Sequence, residues 1–268
     1  MKIAYLDCFA GISGDMFLGA LVDLGMGVEE LKQELTKLGV QGYELSARRV
    51  MRKGISGTKV DVKVTVEQSH RHLKEILDIL DKSQLSEDIK QHAKNIFAGL
   101  AAAEGKIHGC PPESVHFHEV GAVDALVDIV GTLVGLAKLE IQEVYCSPLN
   151  VGSGTVCCAH GLMPVPAPAT AEILMNVPIY TAGPTVELVT PTGAALVKYL
   201  AKDYGPMPPM ILKGVGYGAG DRDTEIPNLL RILIGEPEPR QFNYQWQSEA
   251  YAQGHAHNHA HCHTRERN

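Results

Sequence analysis

The sequence predicts an α+β fold: a mixed sheet with packed helices, followed by a disordered His-rich tail. Three observations carry that expectation. Strand-like runs stand at Lys2 to Phe9, Gln142 to Cys146 and Leu229 to Gly235, so the start, middle and end of the chain each supply sheet. Between them apolar residues recur at helical spacing, as in Asp15 to Leu24, His70 to Leu80 and Glu87 to Lys106. From Glu236 onward this periodicity disappears, which divides the chain into a folded body, 1–235, and a flexible tail, 236–268.

Composition narrows the function classes. With 268 residues and 45% apolar content the chain can bury a sizeable core. A formal charge of −7 excludes a nucleic-acid surface, which needs clustered lysine and arginine. Arg48, Arg49, Arg52 and Lys53 form a short basic cluster, enough for one small anion. The longest apolar run, Ile129 to Ala137, is about half of a membrane span, so no membrane partner is expected. Six cysteines without a CxxC pair or a disulfide framework, and no visible targeting segment, fit a cytoplasmic protein.

Taken in order, Lys2 to Phe9 is a strand, AGISG a tight turn, and Asp15 to Leu24 a helix stopped by Gly25. Such a turn presents N–H groups and a helix dipole over Gly11, Ser13 and Gly14, suiting an anion, although a plain glycine connection has the same spelling. No lysine follows as in GxxxxGKS/T, so it is not that nucleotide loop. Asp7 and Asp15 flank the turn and are expected to share one cleft; Asp15 alone also favours the dipole. Val28 to Leu38 reads as a helix. Tyr43 to Val50 and Thr58 to Val66 read as paired strands about Lys53 to Gly57, serving as scaffold. His70 and His72 open the next helix, face different ways once helical, and read as surface histidines.

The stretch SVHFHEVGAVDALVDIVG, Ser114 to Gly131, concentrates metal-ligand chemistry. In extended backbone His116 and His118 leave one face, about 7 Å apart at Cα, close enough to grip one ion. Glu119 follows, and a helix from Gly121 would set Asp124 and Asp128 one turn apart beside a buried apolar face. The candidate metal ligands are therefore His116, His118, Glu119 and Asp124, with Asp7 and Asp15. The plainer alternative is polar residues at a strand end and acids favouring a helix dipole.

Farther on, HGLMPVPAPAT fixes an extended arm through Pro164, Pro166 and Pro168, able to hold His160 over a cleft or simply to stiffen a surface connection. In ELVTPTGAALVKYLAKDYG, Thr190 is an N-cap and Pro191 the first helical residue of a helix running to Gly205. Thr190, Thr192 and Gly193 are candidate substrate contacts at that helix N-terminus, with ordinary capping as the alternative. Gly214, Gly216, Gly218 and Gly220 alternate, clearing one strand face for another backbone or a flat ligand. Pro227 marks a possible edge strand and Arg231 a possible phosphate partner. In the tail, His255, His257, His259, His261 and His263 surround Cys262 and read as a metal-sequestering segment.

Together DCFAGISGDM, HFHEVGAVDA, HGLMPVPAPAT, ELVTPTGAA and GVGYGAGDRD through PNLLR, spread over Met1 to Gly235, resemble the LarC family of nickel-insertion proteins. The resemblance implies a nickel chelatase of the lyase class that inserts Ni(II) into pyridinium-3,5-bisthiocarboxylic acid mononucleotide. The finished nickel-pincer cofactor serves lactate racemase and related racemases and epimerases. Longer members continue past the His-rich segment into a domain implicated in CTP binding, so CTP with a divalent metal is expected to act through that C-terminal portion, separately encoded or not. This chain then looks like the N-terminal portion. Two other classes fit the bare residues: a metal-dependent phosphoester hydrolase using the same His/Asp cluster, and a non-catalytic nickel store using the tail.

Overall fold

The computed structural model describes residues 1–66, 71–115, 117, 123–158 and 160–238. Contacts join Met1–Glu238 into one compact unit. Its elements in chain order are β1 Lys2–Asp7, α1 Gly14–Asp23, α2 Val28–Thr36, β2 Tyr43–Arg52, β3 Ile55–Val64, α3 Leu73–Lys82, α4 Glu87–His108, α5 Val123–Lys138, β4 Ile141–Cys146, β5 Leu149–Asn150, β6 Thr155–Cys158, β7 Gly161–Pro164, α6 Pro168–Ile173, β8 Ile179–Tyr180, α7 Pro191–Leu200, β9 Ala201–Tyr204, β10 Met210–Ala219 and β11 Leu229–Pro237.

Seven strands form one mixed sheet in the order β2-β3-β10-β11-β1-β4-β9. β1 lies between antiparallel β11 and parallel β4, so the start, middle and end of the chain meet at the sheet centre. The β1 burial pattern, with Ile3, Ala4 and Leu6 essentially inaccessible, reflects cover on both faces. β2 and β3 make a hairpin across Lys53 and Gly54, both at positive φ, a two-residue turn tighter than the expected Lys53 to Gly57.

The alternate glycines of β10 admit α1 rather than a flat ligand. A Cβ at Gly216 would stand 2.3 Å from the Ala20 carbonyl oxygen, and one at Gly218 would stand 1.7 Å from that of Met16. Helix α1 therefore rests with its backbone against the strand. α5, buried on nearly every side, packs across α1, and here too small residues set the distance: Gly131 and Gly135 face Leu18 and Leu21.

The helix expected to run to Gly205 stops earlier. α7 ends at Leu200, and Ala201–Tyr204 is the edge strand β9, parallel to β4. Local propensity favours continuing the Ala/Leu/Val helix; pairing with the open edge of β4 overrides it. Arg231, read as a phosphate partner, faces Asp7 across the β1/β11 ladder and donates to its carboxylate, 3.0 Å from Nε. Cys8 and Cys146 stand 3.6 Å apart as buried free thiols. Among the described residues no helix is long and apolar enough to cross a membrane.

Replacing Gly218 by alanine should destabilise the body by about 3 kcal/mol, since backbone on both sides must shift. Urea unfolding checks this, and a loss under about 0.5 kcal/mol would mean that α1 is not seated as described.

Candidate functional site

Two glycine turns meet where α1 and α7 begin. The Ile12 N–H donates to the Leu188 carbonyl at 2.9 Å, and the Thr190 N–H donates to the Ile12 carbonyl at 3.1 Å. The fit leaves no room for side chains: a Cβ at Gly193 would lie 2.3 Å from the Ile12 oxygen, and Gly11, at φ +80°, abuts the Leu188 carbonyl. Gly11 and Gly193 thus join the turns. The N-termini of α1 and α7 come out side by side, through Ser13, Gly14 and Asp15 on one and Thr190, Pro191 and Thr192 on the other, into a cleft of about 1080 Å³. Thr190 spends its hydroxyl on capping, accepting from the Gly193 N–H at 3.2 Å.

Gly14 has a second role. A Cβ there would fall 2.4 Å from Asp128 Oδ2, so the missing side chain lets the Asp128 carboxylate reach the start of α1. Asp128 and Asp124, one turn apart on α5, both line the cleft. Asp128 Oδ1 is buried without a hydrogen-bond partner among the described residues. Burial, and after it the charges of Asp15 and Asp124, push the Asp128 carboxyl well above its ordinary value against the pull of Lys59. Burial likewise raises Asp124, although its Oδ1 accepts the Ala125 N–H at 2.9 Å.

The β2/β3 hairpin, read from sequence as scaffold, forms a wall of this cleft. In its register Glu44 opposes Lys63, Ser46 opposes Asp61 and Arg48 opposes Lys59, a polar row on one face. Lys59 is the exceptional member, 2% exposed. Its ammonium holds the Asp15 carboxylate, lies 3.1 Å from Asp221 and reaches Asp61 at 4.0 Å. Burial alone would lower its pKa; Asp15 and Asp221 outweigh that and raise it, so Lys59 stays charged. Ser13 Oγ donates to the other Asp15 oxygen. Among the described residues the lining carries seven carboxylates (Asp15, Glu44, Asp61, Asp124, Asp128, Glu187, Asp221) against four cations (Lys32, Lys59, Lys63, Arg222), with Cys157 and Cys158 on the β6 edge.

Of the residues expected at the site, Asp15, Asp124, Ser13, Gly14, Thr190 and Thr192 line the cleft. Asp7 does not. It sits at the end of β1 in its pair with Arg231. His160 lines a neighbouring cavity of about 210 Å³, its ring 4.8 Å from that of His108, with Cys158, Ala167 and Pro191 common to both spaces. His72 caps α3 with Nδ1 3.1 Å from the Val115 carbonyl oxygen. His70, His116, His118, Glu119 and the tail residues His255, His257, His259, His261, His263 and Cys262 lie outside the described residues. Among those that are described, no three His, Cys, Asp or Glu groups are placed to hold one metal ion. Sequence reasoning missed Lys59, Asp61, Asp221 and the cysteine edge; the alternation Lys59, Asp61, Lys63 against Val60, Val62, Val64 was the available signal.

The raised Asp128 carboxyl has a consequence for stability. Between the ordinary value of 3.8 and its raised value the folded chain binds more protons than the unfolded one, so metal-free stability falls as pH rises through that window. Asp128→Asn should melt above the wild type at neutral pH, with the gap closing in acid. A variant that melts lower throughout would show that the ionised carboxylate stabilises the fold.

The family model described as nickel insertion protein matches residues 4–261. A putative nickel insertion protein of Dictyoglomus thermophilum is 51% identical over 236 residues, covering 88% of this chain and 61% of that protein. Proteins of Geobacillus kaustophilus and Desulfitobacterium hafniense, both named pyridinium-3,5-bisthiocarboxylic acid mononucleotide nickel insertion protein, are each 51% identical over 88% of this chain. The chain spans about three-fifths of the length of these relatives. No solved structure matches it.

Proposed function

We propose that this chain, which belongs to the nickel insertion protein family, inserts Ni(II) into pyridinium-3,5-bisthiocarboxylic acid mononucleotide in the cleft between α1, α5, α7 and the β2/β3 hairpin. The observation that carries this is Asp128: a cleft-lining carboxyl group with a buried oxygen lacking any partner among the described residues, beside Asp124 and Asp15, suits a bound cation.

An incomplete ligand set suits cargo. A tetrahedral cage of four protein donors would keep the ion, whereas a pair of carboxylates leaves positions open for the sulfurs of the substrate, softer donors with higher affinity for nickel. His116 and His118 are proposed to complete the protein's share, since α5 begins close behind them in sequence and carries Asp124 and Asp128 into the cleft. The phosphate is proposed to sit at the paired N-termini of α1 and α7, where Ser13, Gly14 and Thr192 stand. The reaction is that of a chelatase, with the product serving racemases such as lactate racemase. CTP with a divalent metal is proposed to act through a further C-terminal portion, and the setting is proposed to be cytoplasmic.

Mixing the purified chain with Ni(II) and the dithiocarboxylic mononucleotide, with and without the C-terminal portion plus CTP, and reading the nickel adduct by mass spectrometry tests this. Asp128→Ala should lower insertion by about tenfold to a hundredfold. Absence of adduct under every condition would overturn the reading. The tail histidines are proposed to store ions: a flexible chain must lose entropy to wrap one, so it holds several loosely. Removing 254–268 should lower nickel stoichiometry and leave insertion at saturating nickel intact, while His116→Ala with His118→Ala should abolish insertion and spare the tail-bound ions. Metal analysis beside the insertion assay separates the two.

A further inference from the structure

The acidic cleft poses a problem that the proposed function leaves open. Its carboxylates outnumber its cations, yet the substrate is an anion with a phosphate and two thiocarboxylates. The thiocarboxylates have the nickel ion as their partner. The phosphate needs another, and the buried cation of the cleft, Lys59, is committed: it holds one oxygen of Asp15 while Ser13 holds the other.

We propose that Lys59 is a metal-operated charge switch: while the cleft is empty of metal its ammonium is neutralised by Asp15, and a divalent cation that takes the Asp15 carboxylate releases the ammonium to the phosphate of the mononucleotide. The inference rests on the function proposed above. Four observations support it. Lys59 is almost wholly buried, so its ammonium relies on neighbouring anions rather than on water. Its other close partner, Asp221 at 3.1 Å, has a side chain 76% exposed and is a weak, solvent-screened competitor. Asp15 stands in the first turn of α1, beside the helix N-termini that suit a phosphate. Finally, Asp128 approaches the same turn through the gap left by Gly14 and offers the unpartnered oxygen that would share a cation with Asp15.

Linkage gives the switch a signature. A cation and an anion coupled through Lys59 must each tighten the other's binding by the same factor. Lys59 and the metal compete for Asp15, so removing the lysine should help one ligand and harm the other, which a merely structural residue would not do.

The test uses the full chain, Ni(II), and as anionic probe pyridinium-3,5-dicarboxylic acid mononucleotide, whose oxygens bind nickel more weakly than sulfur. In the wild type Ni(II) should tighten probe binding about tenfold or more relative to EDTA. Lys59→Met should bind Ni(II) about threefold more tightly and the probe, with Ni(II) present, about tenfold more weakly. Asp15→Asn frees Lys59 permanently, and it should bind the probe in EDTA about as well as the wild type does with nickel. The nucleoside lacking the phosphate should show neither Lys59 effect.

Equal probe affinity with and without nickel in the wild type, or parallel loss of both ligands in Lys59→Met, overturns the switch. Should Lys59→Met fail to fold, Asp15→Asn decides alone, and a probe affinity in EDTA no better than wild type counts against it. Nickel insertion by a protein that fails these tests leaves the proposed function standing without the switch; the reverse outcome leaves the switch without the insertion.

Discussion

Helix α1 lies so close to β10 that the Met16 carbonyl takes up the space of a Cβ at Gly218. The rest of the site depends on that approach. With its backbone pressed to the sheet, α1 brings its N-terminus to the end of β1, where the turn from Gly11 to Ser13 locks onto the Leu188 to Thr190 segment. α5 then packs across α1 and delivers Asp128 to Gly14. Glycines recur at each step because these are approaches of backbone to backbone, or of a charged group to backbone, in which any side chain would be in the way.

Electrostatics governs what this arrangement can do. A buried lysine among carboxylates is tolerated because charge-assisted hydrogen bonds offset its desolvation, and because two of its acids, Asp61 and Asp221, reach solvent. Asp128 has no such compensation at Oδ1. The result is one acid bonded by both Lys59 and Ser13, and another nearby whose ionisation burial disfavours. This pairing of a satisfied and an unsatisfied carboxylate is what distinguishes the cleft from an ordinary acidic surface.

A protein that hands over a metal faces a different constraint from one that keeps it. Closed four-ligand sites gain their stability from completeness. Among the described residues nothing approaches that, and the donors at hand are oxygens, with Cys157 and Cys158 at the rim. Hard oxygen donors hold a metal high in the divalent affinity order less firmly than soft sulfur donors do.

Several features were legible in the chain itself. The glycine turn before α1, Thr190 and Pro191 at the start of α7, the close-approach face of β10 and the pairing of Asp124 with Asp128 follow from local rules, since turn chemistry, capping and side-chain periodicity are properties of a few neighbouring residues. Only the tertiary structure decided which of these come together. Asp7 and Asp15 flank one turn, yet Asp7 goes to Arg231, more than two hundred residues away, because the β1/β11 register sets them opposite. Lys59 sits on a strand read only as scaffold, and it gained a role when the hairpin became a wall of the cleft. Ala201 to Tyr204 had helical propensity until an open strand edge claimed it. In each case the deciding energy comes from a partner distant in sequence, and burial of that partnership outweighs the small preferences that neighbours express.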